Sequence, residues 1–170
     1  AFAQSRQSLV ERYFSAIARK DYVAAAQCIR QADLYEFKNT FSSIYRLEAR
    51  NGKRELLDAT FGSSARLEDA LNAKPDDMFS RTMNYVMAAT ASSVGNTQFY
   101  STRVLGEVPE GTSLVHEVVR SDVQVGPYRT NKVEVISLAA EGSNWKIILP
   151  DQLKNFGAMI KQQMERRPQR

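Results

Sequence analysis

The residues of this chain whose types and spacing suggest chemistry lie on two neighbouring predicted strands. His116 is the single histidine among 170 residues, and Tyr100 and Arg120 share its predicted face. A histidine in a dry cavity can act as a general base or acid, with a tyrosine as hydrogen-bond donor. The alternative is that His116 is a neutral core residue whose hydrogen bonds are satisfied.

Two further residues complete the predicted ligand-binding set. Glu134 lies opposite Arg120 if the third strand pairs through a three-residue loop, whereas a two-residue Gly126-Pro127 loop puts Val133 there. In the plainer alternative, Arg120 and Glu134 form a structural ion pair. The expected ligand-binding residues are Tyr13, on the apolar stripe of the first helix, Tyr100, His116, Arg120 and Glu134.

Other kinds of catalytic or cofactor site find no support in the sequence. One histidine and one cysteine far apart do not make a metal site. The chain has no phosphate-binding loop, no Gly-x-Ser-x-Gly elbow and no dinucleotide fingerprint. We therefore expect no metal and no cofactor. Cys28 has no disulfide partner, and its position on a helix of small residues predicts a buried, inert thiol.

The segment from Gln98 to Pro150 is the only part that has the pattern of a sheet. Its four runs are rich in Val, Ile, Thr and aromatic residues and are separated by turn residues. Short turns predict an antiparallel meander, and the helical spacing upstream predicts a segregated α+β fold. The predicted strands are Gln98–Val108, Thr112–Val125, Tyr128–Ala140 and Asn144–Leu149.

The first turn predicts a register. Pro109-Glu110-Gly111 suits a three-residue loop, because Pro fixes φ at its first position and Gly accepts the left-handed third position. Such a loop pairs Val108 with Thr112. It thereby pairs Val104 with His116, Tyr100 with Arg120, Gly106 with Leu114, and Thr102 with Val118.

The same register decides which face of the sheet is expected to be buried. It places Arg103 opposite Glu117, and a cross-strand ion pair belongs on the solvent face. A slip of one residue would reverse this assignment. The face predicted to turn towards the helices carries Tyr100, Val104, Leu114, His116 and Val118.

Capping residues and apolar spacing predict helices along the rest of the chain. Asp33 with Glu36 has capping-box spacing, Ser64 is a candidate cap, and Pro75 favours the first turn of a helix. The predicted helices start at Ser8 or Ser5 and end before Asp21, then run from Tyr22 to Ile29, from Asp33 to Asn51, from Leu56 to Phe61, from Ser64 to about Asn72, from Pro75 to about Gly95, and from Asp151 to about Glu165.

Three segments together resemble the nuclear transport factor 2-like superfamily. They are Tyr13–Ile17 on the first helix, Asp21–Ala26 leading the second, and Asn144–Leu149 ending the meander. The resemblance implies a single domain in which N-terminal helices pack on a strongly curved four-stranded sheet, with a C-terminal helix and a cone-shaped cavity. The family includes enzymes and non-catalytic proteins, and its sheet face often dimerises. The segment 33–93 is longer and more helical than the family pattern.

Charge and the chain ends bear on partners and compartment. Five basic against two acidic residues in 151–170 account for most of the net charge of +4, so a solvated basic tail is expected at 166–170. No aromatic residues interleave with this charge, and no apolar run approaches the about 20 residues of a membrane helix. We expect no nucleic-acid partner and no transmembrane segment. Ala1-Phe2-Ala3-Gln4 resembles the end of a cleaved signal, which predicts a periplasmic or secreted protein, with an arbitrary starting point of the chain as the alternative.

The sequence therefore predicts a non-catalytic exported protein that binds a small apolar ligand or a protein partner, with homodimerisation through the sheet face as one form of that partnership. The alternative is a lyase or isomerase that acts on an apolar molecule through His116 and Tyr100. The two differ in whether an open cavity holds at least two convergent ionisable groups.

Overall fold

The computed structural model describes residues 5–166, which form seven helices and a four-stranded sheet. The predicted α+β class is confirmed: helices precede a curved, open antiparallel sheet, and a helix follows it. In the described chain no strand lies between residues 33 and 93, as expected. The elements are α1 Arg6–Ala18, α2 Tyr22–Cys28, α3 Gln31–Arg50, α4 Glu55–Phe61, α5 Leu67–Asn72, α6 Pro75–Val94, β1 Thr97–Glu110, β2 Leu114–Val125, β3 Tyr128–Glu141, β4 Asn144–Ile147 and α7 Asp151–Arg166.

The first two helices begin where their caps predict. The Ser5 side chain accepts a hydrogen bond from the Ser8 amide, and Asp21 accepts one from the Ala24 amide. Each bond pairs one of the amides that a helix leaves free at its start. Cys28 at the end of α2 is buried, in agreement with the prediction.

The predicted start of α3 is wrong, because Asp33 does not cap it. The helix begins at Gln31, and the Asp33 side chain lies buried in its first turn. Its carboxylate accepts hydrogen bonds from Arg30 and from the Leu149 amide, and it pairs with Lys154 at the start of α7. A residue that reads as a cap in the sequence therefore joins α3 to the end of the sheet and to α7.

The remaining helices follow the predicted start and stop residues, with one exception. Gly62 ends α4 with φ of 94°, and Pro75 opens α6. The predicted Ser64 cap is wrong, since α5 begins at Leu67, and the Asp69 carboxylate accepts a hydrogen bond from the Arg66 amide. Ser64 lies in the loop before that helix.

The predicted loop between β1 and β2 is wrong by two residues. Glu110 pairs with Leu114, so the loop is Gly111-Thr112-Ser113 and the left-handed glycine takes its first position. Pro109 stays in β1 opposite Val115. Because β1 is an edge strand, a residue without an amide hydrogen can be accommodated there.

The predicted buried face is also wrong, except at Val104, which packs against the core. Arg103 pairs with Arg120 and not with Glu117, so the ion pair used to identify the solvent face does not exist. Two register shifts, between Phe99 and Ser101 and between Val104 and Gly106, move the pairing further along β1. The residues of β2 that face the helices are Val115, Glu117, Val119, Ser121 and Val123.

The turn between β2 and β3 follows the second of the two alternatives. Val125 pairs with Tyr128 across Gly126-Pro127, and Val133 therefore lies opposite Arg120. Glu134 pairs with Val119 and lies on the face that turns towards the helices. The three-residue loop and the Arg120–Glu134 ion pair are thereby excluded.

The core lies between this inner sheet face and the helices. One cluster of buried side chains includes Phe14 of α1, Phe41 of α3, Phe79 of α6 and Val119 of β2. Helix α7 packs on α3, where a Cβ added at Gly157 would lie 2.7 Å from the Thr40 methyl carbon. The close approach of these helices therefore depends on glycine at this position.

Candidate functional site

His116 lies on the outer face of the sheet, away from the helices. Its Nδ1 is 2.9 Å from Ser137 Oγ, and its Nε2 is 2.9 Å from Glu110 Oε2. About 29% of its side chain is exposed. The histidine is thus a satisfied polar residue at the sheet surface, and the predicted interior position is wrong.

Tyr100 is also exposed and does not converge with His116. Its hydroxyl donates to Gln124 Oε1 at 2.6 Å, and the Arg129 guanidinium lies 4.3 Å from its ring centroid. The neighbouring pair Ser101–Asp122 is six residues along β2 from His116, a separation of roughly 20 Å at about 3.4 Å per residue. The structure therefore does not bring the two predicted catalytic candidates together.

Of the remaining predicted residues, Tyr13 and Glu134 share the inner side of the sheet, and Arg120 does not. Arg120 is exposed on the outer face and donates to Asn131 Oδ1. Tyr13 is buried, and burial raises the pKa of its phenol, with the nearby negative charge of Glu134 adding to the effect. Glu134 itself pairs with Lys132 at 2.9 Å. Of the predicted ligand-binding residues, Tyr13 and Glu134 therefore lie on the inner side of the sheet.

A carboxyl pair at the first turn of α1 was missed by the sequence reasoning. Glu117 is 2% exposed on the inner face, directly opposite Glu107. Arg6 binds Glu107 through two hydrogen bonds of 3.0 and 2.7 Å, while its Nε is 3.9 Å from Glu117 Oε1. The Arg6 guanidinium also lies 5.3 Å from the Trp145 ring centroid. Arg6, Glu107 and Glu117 border a cleft of about 400 Å³ that Val104 also lines.

The electrostatics of this pair favour a shared proton. Burial raises the pKa of Glu117, and the charge of Glu107 and a hydrogen bond between the two carboxyls raise it further, against the opposing charge of Arg6. A raised pKa widens the pH range over which a carboxyl beside a cleft can donate a proton. The alternation of Val115, Glu117 and Val119 is the sequence signal that indicates an inward-facing glutamate.

We predict that Glu117→Gln stabilises the protein at neutral pH. The folded protein holds the Glu117 proton more tightly than the unfolded chain does, so wild-type stability falls as pH rises from the ordinary value of 4.5 towards the raised pKa. The amide removes this cost and the repulsion from Glu107, a gain of up to about 1 kcal/mol. Urea unfolding from pH 4 to pH 8 measures it; a variant that is less stable than wild type at pH 7 contradicts the prediction.

The outer face carries a group of uncovered apolar side chains, which we call the outer-face patch: Val108, Leu114, Val118, Val133 and Val135. Val108, Val133 and Val135 are 57%, 60% and 59% exposed. Across the strands, Val108 pairs with His116, Val118 with Val135, and Arg120 with Val133. No helix of the described chain covers this face, because the buried cluster lies entirely on the other side of β2.

Neither metal-binding nor membrane-spanning features occur in the described part of the chain. Residues 5–166 contain no group of three or more His, Cys, Asp or Glu side chains arranged to hold a metal ion. None of the helices described has both the length and the apolar content needed to cross a bilayer.

Comparison of the chain with protein-family models, with curated proteins and with solved structures gives no significant match.

Proposed function

We propose that the protein is a non-catalytic binding protein in which the outer-face patch joins two copies of the chain. The observation that carries the proposal is the exposure of Val108 on β1 and of Val133 and Val135 on β3, with Val118 of β2 between these strands, on a sheet face with no cover. Contiguous exposed apolar groups on a protein surface mark sites of interaction. The resemblance to the nuclear transport factor 2-like superfamily supports the same dimer interface, because sheet faces often pair in that superfamily.

Charges at the two ends of the patch are complementary to each other. Arg103 and Arg120 lie opposite one another at one end, and no carboxylate of the described residues is within ion-pair distance of either guanidinium. Glu110 lies at the other end, beyond Val118. In a two-fold pairing that reverses the strand direction about Val118, the two arginines of one copy approach the partner's Glu110. The same face thus supplies both halves of an isologous contact.

The size of the face predicts a reversible dimer. Three strands about 4.8 Å apart and roughly twelve residues long present a surface of about 14 by 40 Å. This is roughly 600 Å², below the about 800 Å² per partner of a standard interface. We expect a dissociation constant in the micromolar range.

A small apolar ligand and export from the cytoplasm form the rest of the proposal, and we expect neither nucleic acid nor a cofactor to take part. The export expectation depends on residues 1–4, and the basic tail on residues 166–170; these residues lie outside the described range or at its edge. The alternative of a lyase or isomerase requires convergent ionisable groups. His116 and Tyr100 are about 20 Å apart, so no observation favours an enzyme that acts through these two residues.

Val135→Lys tests the dimer. Sedimentation velocity from about 1 µM to about 500 µM should show the wild type passing from monomer to dimer and the variant remaining monomeric, because the dimer would bury two unpaired charges, one from each copy. Val23→Lys, at an exposed valine of α2, is the matched control and should dimerise like the wild type. A wild type that stays monomeric throughout, or a control that also loses the dimer, would exclude the proposed interface.

A charge exchange tests the orientation of the two copies. Arg120→Glu and Glu110→Arg should each weaken the dimer, because each places like charges across the interface. The double variant should recover most of the wild-type affinity. If the double variant is no better than the singles, the strands are not paired in the reversed direction.

A further inference from the structure

The Tyr22 hydroxyl is a buried polar group without a partner. The side chain is 1% exposed, and its oxygen has neither accessible surface nor a hydrogen bond from any residue of the described chain. Buried hydroxyls in folded proteins nearly always have a partner, and the exceptions call for an explanation. Burial also raises the pKa of this phenol, so at neutral pH it is an uncharged donor.

Tyr22 lines a cleft of about 230 Å³ between α2, α6 and the start of β1, which we call the α2–α6 cleft. Its base is rigid. A Cβ added at Gly95 would lie 2.8 Å from Gly126 Cα, and the Gly126 amide donates to the Asn96 carbonyl at 3.1 Å. Asn96 lines the cleft beside this contact.

The lining of the cleft has a polar end and an apolar side. Lys20 brings a cation, while Met87, Ala88 and Ala91 of α6 bring apolar surface, and no acidic side chain is among the lining residues. Asp21, between Lys20 and Tyr22 in the sequence, is occupied as the cap of α2, where it accepts from the Ala24 amide at 3.0 Å. A positive charge and a neutral donor, with no carboxylate among the lining residues, favour an anionic acceptor.

We propose that the α2–α6 cleft binds a small carboxylate with a compact apolar body. One carboxylate oxygen accepts the hydrogen bond of Tyr22, the Lys20 ammonium balances the charge, and the apolar body lies against Met87 and Ala91. This inference deepens the proposed ligand-binding function, because it gives the ligand a place and a chemical class. It does not depend on the dimer, which uses the opposite face of the sheet.

The volume of the cleft sets the size of the ligand. About 230 Å³ corresponds to roughly eight water volumes, which suits a molecule of about nine non-hydrogen atoms such as benzoate. Because the Tyr22 oxygen has no accessible surface in this arrangement of the lining, a lining side chain must rotate as the ligand enters. Met87 can do so at little cost, since its unbranched chain has several low-energy rotamers.

Tyr22→Phe separates a ligand-binding role from a structural one. Removing a buried hydroxyl without a partner should raise the melting temperature of the free protein, by about 2–4 °C. The same change should weaken benzoate binding about tenfold, because a hydrogen bond to a charged group is lost. Titration followed by two-dimensional NMR should place the shifts at the amides of Met87, Ala88 and Asn96. Tyr35→Phe, at an exposed tyrosine of α3, is the matched control and should change neither quantity.

Two further experiments test the chemical class of the ligand and whether its binding is independent of the dimer. Lys20→Asn, which tolerates the left-handed backbone at φ 59°, should weaken benzoate but leave benzyl alcohol unchanged. Benzoate should bind the Val135→Lys variant as tightly as the wild type, so the two proposals can fail separately. The inference is overturned if Tyr22→Phe lowers the melting temperature or leaves benzoate affinity unchanged, if benzyl alcohol binds as tightly as benzoate, or if the shifts cluster at Arg103 and Arg120.

Discussion

Asp33→Ala should cost about 3–5 kcal/mol of unfolding free energy, the range found when one member of a buried charged network is removed. The buried carboxylate has three kinds of donor: two hydrogen bonds from Arg30, of 2.7 and 3.3 Å, one from the Leu149 amide at 3.0 Å, and the Lys154 ammonium at 3.3 Å. The alanine leaves a buried amide and two cations without their acceptor. Urea unfolding followed by circular dichroism measures the loss.

Two variants distinguish the network from a generic effect of removing charge. Asp33→Asn keeps the shape and one acceptor, and should lose about half as much. Asp58→Ala removes a partly exposed i,i+4 pair with Arg54, and should cost at most about 1 kcal/mol. An Asp33→Ala variant within 1 kcal/mol of the wild type would show that the network contributes little.

The pH dependence of the wild type provides a second check on Asp33. Burial alone would raise the pKa of this carboxyl, but hydrogen bonds from Arg30 and Leu149 and the charge of Lys154 outweigh it, so the pKa is lowered. A group with a lowered folded-state pKa stabilises the protein above its ordinary value of 3.8, and the contribution is lost as pH falls below that value. The Asp33→Asn variant should therefore lose less stability than the wild type between pH 4 and pH 2.

Local signals in the sequence predicted most of the fold. Helix caps such as Ser5 and Asp21, and the breaks at Gly62 and Gly95, act within a few residues of the chain, so they are visible without tertiary information. The number of strands and their antiparallel order follow from the short turns alone. The α+β class could thus be read from residue spacing and turn chemistry.

The strand register could not be read from the sequence in this way, because it depends on which residues form the loop between two strands. Pro109-Glu110-Gly111 and Gly111-Thr112-Ser113 both suit a three-residue loop, and an edge strand removes the usual penalty against Pro109. Choosing the first loop created an Arg103–Glu117 pair and, from it, an inverted sheet. The two register shifts occur in β1, the strand that contacts α1, and no local pattern in the sequence indicates them.

The wrong choice of inner face also led to wrong candidate site residues. The prediction for His116 depended on its residue type, whereas the buried carboxylates are Asp33, Glu48 and Glu117. Valines at positions 115, 119 and 123, against His, Arg, Asp and Gln at 116, 120, 122 and 124, indicate the correct inner face. That alternation was a better guide than a single cross-strand pair. Neither signal identifies Tyr22, whose missing partner is a property of the packed structure alone.

Glu48→Ala should cost about 2–6 kcal/mol, because it leaves two buried amides without an acceptor at about 1–3 kcal/mol each. Helix α4 has no side-chain cap of its own at Arg54. Instead Glu48, buried on α3, accepts from the Leu56 amide at 2.6 Å and from the Leu57 amide at 3.1 Å. A carboxylate from one helix thus holds the start of the next, where the positive end of the helix dipole adds to the attraction.

In Glu48→Ala, α4 should open locally more readily than the whole protein unfolds, since α4 is short and its first turn depends on this contact. Hydrogen exchange at the Leu56 and Leu57 amides should accelerate by at least about tenfold in Glu48→Ala, and the Tyr45–Thr60 hydrogen bond of 2.9 Å should weaken with it. Glu48→Gln retains one acceptor and should protect one of the two amides. Glu36→Ala, on the exposed side of α3, is the matched control and should leave both exchange rates unchanged. If exchange at Leu56 and Leu57 is the same in Glu48→Ala as in this control, then another group caps α4.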